Sequence, residues 1–510
     1  MAAEGMSAVL AAAATGLALS VAVERRMTPR PPWGRPRAAW ALHAGSWLMA
    51  HALLTLPLGR PWFAAAAVIA FLLMVVLVNN AKFHALREPF VFQDFEYFSD
   101  AIRHPRLYIP FLGWGKFLGA TAGFTLAVAI GLWGETVPVR RFEMAGQWGG
   151  VAAVGLAGVL LWLAGRRGVP AVSFDAQRDI ESLGLVACLW RYAEAARQPI
   201  RAVSPFSTPV EKPSQAAALP HLVAVQSESF FDPRGLYAGI RPEVLAAYDA
   251  LRDDAVAHGR LRVPAWGANT VRTEFAFLCG IEESALGVHR FNPYRAIAGE
   301  TAQPAPASLA SCLKRMGYRT VCLHPYPAGF YLRDRVYPRL GFDEFLDIRA
   351  FAGAKREGPY IADAAVAERI AALLGSADKP LFIFAITMEN HGPLHLERVG
   401  PADEASLYST PPPAGCDDLT IYLRHLRNAD RMLGEVRRAL AACPRPASLC
   451  WFGDHVPIMP AVYQTLGTPE GDVGYVLWSN QSTPAPAEQA LPAHALARAW
   501  LRVQPDLLSN

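Results

Sequence analysis

Charge is scarce in this chain of 510 residues: 18% are Asp, Glu, Lys or Arg, against 52% that are hydrophobic. A soluble enzyme of this size carries more charge, so part of the apolar content is expected in a bilayer. No Cys-x-x-Cys pair occurs among the seven cysteines, which removes zinc-finger and thioredoxin-type readings. The odd count leaves at least one thiol free or paired between chains. The Lys and Arg residues form no basic tail and no aromatic-basic repeat, and the net charge is only +4, so nucleic acid is not an expected partner. Internal repeats are absent. The first apolar run has no basic segment before it and is followed by Glu24-Arg25-Arg26 instead of a cleavage site, which argues against a signal peptide.

What the chain does contain is a division into two halves. Five apolar runs, about Met6–Val23, Ala38–Leu58, Trp62–Val78, Leu107–Trp133 and Trp148–Ala164, crowd into residues 1–170. Each is near the roughly 20 residues that a helix needs to cross the hydrocarbon core, so this part is expected to be a transmembrane domain of five helices. Arg25, Arg26, Arg30, Arg35 and Arg37 fall in the first loop, which the positive-inside rule assigns to the cytoplasm; with five spans, the C-terminal half would follow it there. Residues 171–220 read as an amphipathic helix over Asp175–Arg197, lying along the membrane surface, and a linker spaced by Pro199, Pro205, Pro209, Pro213 and Pro220.

Residues 221–510 read as globular. Leu222–Gln226, Arg319–Leu323, Leu381–Thr387, Ser448–Phe452 and Val473–Trp478 are predicted strands, and Ser308–Met316, Ile361–Leu374 and Leu419–Ala442 predicted helices. The alternation predicts an α/β domain with a largely parallel sheet, whose site lies at the carboxyl ends of the strands. Polar residues collect there: Ser227-Glu228-Ser229-Phe230, Thr387-Met388-Glu389-Asn390-His391-Gly392-Pro393 and Gly453-Asp454-His455, with a loop Gly267-Ala268-Asn269-Thr270-Val271-Arg272-Thr273-Glu274-Phe275. Taken singly, each has a plainer explanation in helix capping or turn chemistry. Their coincidence in one α/β domain fits metal-assisted phosphoryl transfer. A threonine hydroxyl is a poor nucleophile that coordination to a divalent cation can activate, and Glu228, Asp454 and His455 offer oxygen and imidazole ligands for one.

These motifs, in this order, resemble the lipoteichoic acid synthase and phosphoglycerol transferase branch of the sulfatase/alkaline phosphatase superfamily. The resemblance covers the globular half and extends into the membrane half, through the five-span layout and through Asn80-Ala81-Lys82 running into Arg87-Glu88-Pro89-Phe90 and Asp94. It implies an α-helical membrane bundle followed by an alkaline-phosphatase/sulfatase-like α/β domain. It implies Thr270 as nucleophile and Glu228, Thr270, Asp454 and His455 as ligands of one divalent ion, manganese ahead of magnesium or zinc. His324, Tyr331, Arg333 and His391 match the substrate-binding positions, with Tyr331 standing where a Trp is familiar. The implied substrate is phosphatidylglycerol, whose headgroup passes to an envelope glycan or polyglycerolphosphate acceptor. The implied location is the bacterial cytoplasmic membrane with the catalytic half outside, against the arginine count of the first loop.

Three other readings compete. A true sulfatase needs a Cys/Ser-x-Pro-x-Arg motif, which Thr270-Val271-Arg272-Thr273 does not supply. A phosphoethanolamine transferase acting on lipid A shares the Thr nucleophile and five spans but has a cysteine-rich, disulfide-bonded catalytic domain. A catalytically inactive membrane sensor on the same fold is expected to have lost one of Thr270, Glu228, Asp454 or His455, and all four are present.

Overall fold

The computed structural model describes residues 2–98, 102, 105, 113–135, 141–208, 219–298, 304–481 and 487–504. The chain divides into two compact units, Met1–Gln198 and Pro199–Asn510. Of the expected elements, residues 107–112 of the fourth apolar run, and Pro209 and Pro213 of the linker, lie outside the described residues.

The first unit is helical, with α1 (Ala2–Glu24), α2 (Arg37–Leu58), α3 (Pro61–Leu86), α4 (Trp114–Gly134) and α5 (Arg141–Gly168) on the five apolar runs. Among the described residues, three stretches are long and apolar enough to cross a membrane: Ala3–Glu24, Pro61–Leu86 and Met144–Gly168. In α2, His43, Ser46, His51 and Pro57 dilute the apolar run, and the apolar stretch of α4, Thr121–Gly134, is shorter. Leu53, Phe71, Leu126 and Leu156 are each more than half exposed, an outward apolar surface of the kind that suits lipid. Small residues let α2 and α5 approach closely: a Cβ on Gly45 would meet the Trp162 backbone nitrogen at 2.5 Å, and one on Gly165 the Ala38 carbonyl at 2.7 Å.

Polar groups gather where α1 and α3 end. Arg35 pairs with Glu24 at 2.8 Å, both buried, and its guanidinium lies 3.7 Å from the Trp40 ring. Arg25 bonds the Pro31 carbonyl and lies 4.5 Å from the Trp33 ring. Two of the five loop arginines are therefore tied into the protein. Lys82 pairs with Glu88 and Asp94, each at 2.7 Å, and Asn79 accepts from the Phe90 amide, so the Asn-Ala-Lys and Arg-Glu-Pro-Phe motifs close on each other. The single amphipathic helix expected over Asp175–Arg197 is instead two, α6 (Ala176–Leu183) and α7 (Leu185–Ala195). Gly184, at φ 78°, breaks it; any side chain there would collide with Arg35, and the next amide, of Leu185, bonds Glu24.

In the second unit the strands are β1 (His221–Ser227), β2 (Ala257–Arg262), β3 (Arg319–Leu323), β4 (Glu344–Leu346), β5 (Arg356–Glu357), β6 (Tyr360–Ile361), β7 (Leu381–Ile386), β8 (Ala447–Gly453), β9 (Val473–Ser479), β10 (Ala487–Glu488) and β11 (Leu491–Pro492). Among the described residues the main sheet runs β10-β2-β9-β8-β1-β7-β3-β4, with β11 also on β2. Its centre, β8-β1-β7-β3-β4, is parallel; β9 is antiparallel to both β8 and β2, so the sheet is mixed. Alternation on β1 sends Val223 and Val225 to a core shared with Val366, Leu426 and Leu433 of the helices Asp363–Gly375 and Asp417–Ala441. Leu222 and Ala224 pack on the other face with Phe275 and Phe277 of the helix Thr270–Cys279 and with Trp500. Helices thus cover both faces, and chemistry is left to the strand ends.

Candidate active site

Register decides which residues meet. Ser227 of β1 pairs with Gly453 of β8, so the next residues, Glu228 and Asp454, leave the sheet side by side. Gln226 pairs with Ile386 of β7, which brings Thr387 level with Glu228; the Thr387 hydroxyl oxygen accepts from the Glu228 amide at 2.9 Å. Leu323 of β3 pairs with Ala385, and His324 follows.

Glu228, Asp454 and His455 converge: one ligand atom from each lies within 4.8 Å of the others, and all three residues are buried. Asp454 Oδ1 accepts from the amides of Ser229 and His455 at 2.8 and 2.9 Å, which fixes the carboxylate. Its Oδ2 is buried with no hydrogen-bond donor. His455 Nδ1 lies 3.1 Å from the Val456 carbonyl. A carbonyl only accepts, so Nδ1 carries a proton and Nε2 is the ring nitrogen left to bind a metal. Nε2 stands 3.4 Å from Asp454 Oδ2 and 3.7 Å from Glu228 Oε1. Three ligand atoms thus face one another, an arrangement that suits a cation between them. Burial, and then the neighbouring Asp454 carboxylate, push the Glu228 carboxyl well above its ordinary range. Hard carboxylate oxygens and one imidazole suit a divalent ion, so the residues present fit the implied metal.

Thr270 opens the helix Thr270–Cys279, every residue of which is buried. Asn269 before it takes the left-handed conformation, φ 64°, which Asn tolerates better than most residues. One turn on, the Thr273 hydroxyl donates to the Asp454 carbonyl at 2.8 Å, tying this helix to the end of β8. The positive end of the helix dipole therefore lies at Thr270.

Arg333 is buried, and Glu274 of the Thr270 helix neutralises it: Nη2 bonds Glu274 Oε1, and Nε lies 3.3 Å from Oε2. Tyr294 and Tyr337 donate to Glu274 Oε2 at 2.9 and 2.6 Å. Arg333 Nη1 meets His324 Nε2 at 3.1 Å. Guanidinium only donates, so His324 Nε2 accepts, and Nδ1, 3.3 Å from the Ile386 carbonyl, holds the proton. Burial, then the Arg333 charge, keeps this imidazole neutral, well below its usual pKa. Tyr331 takes the left-handed region at φ 56°, and its ring centroid lies 5.2 Å from the Arg333 guanidinium carbon. His391 Nδ1 bonds the Gly392 carbonyl at 2.6 Å, leaving its lone pair on Nε2; burial lowers its pKa, with Asp454 and Arg333 also acting on it. The structure thus brings Glu228, Asp454 and His455 into one cluster and His324, Tyr331 and Arg333 into another. His391 feels the charges of both.

Sequence reading missed the anchors. Glu274 lies within the Gly267–Phe275 segment, where nothing local in the sequence sets it apart; its role shows only in the contact with Arg333. Ser229, which donates to Glu228 at 2.9 Å, also lies in a quoted motif. Glu274's tyrosine partners carried no motif at all.

The sulfatase family profile matches residues 220–503, more than half of the chain, and the chain belongs to the sulfatase family. The placement in the sulfatase/alkaline phosphatase superfamily drawn from the motifs is thereby borne out, and the chain is an enzyme of that family. Over 443 residues it is 27% identical to the capsular polysaccharide biosynthesis protein RkpI of Rhizobium meliloti, covering 81% of this chain and 77% of that protein. Over 284 residues it is 26% identical to a putative cyclic beta-1,2-glucan modification protein of the same organism, covering 52% of this chain and 42% of that one. Among solved structures, the integral membrane lipooligosaccharide phosphoethanolamine transferase EptA of Neisseria meningitidis aligns with a TM-score of 0.53 at 13% identity, over 94% of this chain and 88% of that one. At that identity the likeness is one of fold, and it takes in the helical unit as well as the α/β unit.

Proposed function

We propose that this protein is a membrane-anchored phosphotransferase of the cell envelope. It moves the glycerophosphoryl headgroup of phosphatidylglycerol to an envelope glycan or glycerolphosphate acceptor and releases diacylglycerol. The observation that carries this reading is the set of three facing ligand groups, Glu228, Asp454 and His455, tied through Thr273 to the helix that Thr270 begins. Glu228, Asp454, His455 and the Thr270 oxygen hold one divalent ion, manganese ahead of magnesium and zinc. Bound there, it supplies Lewis acidity that makes the Thr270 hydroxyl a nucleophile.

The chain's own groups do the rest. Thr270 Oγ attacks phosphorus; an Oγ–P bond forms as the P–O bond to diacylglycerol breaks. The Thr270 hydroxyl proton passes to water, and His391, which takes up a proton from water at Nε2, delivers it to the departing oxygen. Arg333 donates its remaining N–H groups to the phosphoryl oxygens, held by Glu274 beneath it and by His324 beside it. Both ring nitrogens of His324 are engaged, so it acts on the substrate through Arg333. An acceptor hydroxyl then displaces the phosphoglycerol from Thr270 by the same route, two easier steps in place of one hard one. The membrane unit, with five spans over residues 1–170, keeps the site at headgroup level, and the catalytic domain, residues 221–510, faces outside the cytoplasm. The linker between them is residues 171–220.

Two observations favour phosphoglycerol and a glycan acceptor. All seven cysteines are free, unlike the disulfide-bonded catalytic domain of phosphoethanolamine transferases. Both relatives carry names that refer to glycan biosynthesis or modification. Thr270→Ala protein, presented with phosphatidylglycerol vesicles, should lose diacylglycerol release while keeping its fold. Release near the parent rate would remove Thr270 from the chemistry.

A further inference from the structure

A second buried acid–histidine cluster lies beyond β7, on residues to which the mechanism above gives no part. The Glu389 carboxylate is held on every side. Oε2 accepts from the Asp363 amide at 2.8 Å, and Oε1 accepts from Asn428 Nδ2 at 2.7 Å and lies 3.0 Å from His425 Nδ1. The other ring nitrogen of His425 lies 3.1 and 3.2 Å from the two oxygens of Glu397. With a carboxylate at each nitrogen, both nitrogens donate and the ring is an imidazolium. Burial works against that charge, but the hydrogen bonds to Glu389 and Glu397 outweigh it and lift the pKa to about 9. Glu397 is shared with Arg424 at 2.7 Å. The Asp363 carboxyl, raised well above its usual range by burial and then by Glu389, is neutral. Charges therefore balance around His425: Glu389 and Glu397 against His425 and Arg424, with Arg424 also reaching Asp403.

The cluster holds one end of a loop whose other end carries site chemistry. Glu389, Asn390, His391 and Gly392 are consecutive. The Tyr360 hydroxyl donates to the Gly392 carbonyl at 3.1 Å, and the His391 amide bonds the Met388 carbonyl at 3.1 Å. Tyr360 and Asp363, three residues apart, thus pin the loop at both ends, while His425 and Asn428 grip it from the helix Asp417–Ala441. That helix packs on the face of the sheet opposite Thr270; it reaches the β1 end through Tyr422, which donates to the Ser229 carbonyl at 2.7 Å, and it reaches His391 through this loop.

We propose that His425, with Glu397 and Asn428, is a positioning device that fixes Glu389 and thereby sets the imidazole of His391 against the reacting phosphoryl group. The inference rests on the phosphotransfer reading and adds to it the residues that hold the proton carrier in place. They touch no reacting atom.

The test uses the full-length protein with phosphatidylglycerol vesicles and follows diacylglycerol release across neutral and alkaline pH, with melting temperature and manganese affinity alongside. His425→Gln should lower kcat roughly tenfold to a hundredfold, the range that misplacement of a reacting group costs, with KM and manganese affinity near parent values. The parent should lose activity as pH rises through the His425 transition. Glu397→Gln removes one acceptor of the imidazolium protons, so it should shift that alkaline limb to lower pH. Folded variants with the parent kcat and the parent alkaline limb would overturn the proposal. So would a loss in His425→Gln that merely tracks unfolding while Glu397→Gln leaves the limb where it was. A parent that releases no diacylglycerol overturns the phosphoglycerol reading instead; the same variants compared on a chromogenic phosphodiester then decide the inference.

Discussion

Two buried acid–histidine clusters stand at neighbouring strand ends, and they are finished differently. After β1 and β8, His455 turns Nε2 towards Glu228 and Asp454, and Asp454 Oδ2 has no donor. After β7, His425 turns a proton towards each of Glu389 and Glu397. The same residue types therefore make an open ligand set in one place and a closed structural network in the other. The difference lies in what holds the imidazole's far nitrogen. A backbone carbonyl takes the Nδ1 proton of His455 and leaves Nε2 for a metal, while a second carboxylate takes up the far nitrogen of His425 and makes it a cation. Carboxylate–histidine proximity alone does not mark a metal site; a ring nitrogen left over beside the carboxylates does.

The largest expected effect separates the two roles. Asp454→Asn should cut turnover by about a thousandfold or more and weaken metal binding, since a ligand charge is lost. It should leave the ion-free protein about as stable as the parent, because Asn keeps the side-chain oxygen that accepts from the Ser229 and His455 amides. Calorimetric metal titration beside thermal unfolding checks both halves. Glu389→Ala should do the reverse to the metal: little change in affinity, but a loss of about 3 kcal/mol in urea unfolding, because the buried His425 charge loses its main partner.

Metal itself sharpens the contrast further. Ion at a hundred times its dissociation constant should stabilise the folded state by about 2.7 kcal/mol, and a chelator should remove that gain. Affinity should rise with pH, because burial and Asp454 hold the Glu228 carboxyl protonated until an ion displaces the proton. A pH-independent affinity would contradict the open set. The smallest effect concerns the closed one. The folded-state pKa of His425, about 9, lies above its usual 6.5, so its contribution to stability is complete below about pH 6.5 and fades as pH rises through 9. His425→Gln should flatten that alkaline decline in unfolding measurements.

Much of this was legible in the sequence, for physical reasons. Buried parallel strands are continuous apolar runs, which is why Leu222–Gln226, Arg319–Leu323 and Ser448–Phe452 stood out. Their polar ends followed from where α/β sheets keep their sites. Strand β2, Ala-His-Gly-Arg-Leu-Arg, near one end of the sheet, is mostly half-buried or exposed and carries no such run, and β9 gave no sign of its antiparallel direction. Gly184 interrupts an otherwise helical pattern, and the reason, the close approach of Arg35, lies far away in sequence. The arginines of the first loop counted as five charges in the sequence. Folding pairs Arg35 with Glu24 and lays Arg25 against Trp33, so the loop presents less free charge than the count suggests. Glu274 and His425 were out of reach: each sits within a helix, and only tertiary contact shows Arg333 on one and two glutamates on the other.

The most direct measurement is to incubate the purified protein with headgroup-labelled phosphatidylglycerol and manganese, quench it, and analyse both the protein and the water-soluble products by mass. The account predicts diacylglycerol release, phosphoglycerol on the peptide that contains Thr270, and its transfer to an added glycan acceptor. Phosphoglycerol trapped on any other residue, or a parent enzyme that leaves phosphatidylglycerol intact while transferring a different headgroup, would contradict it.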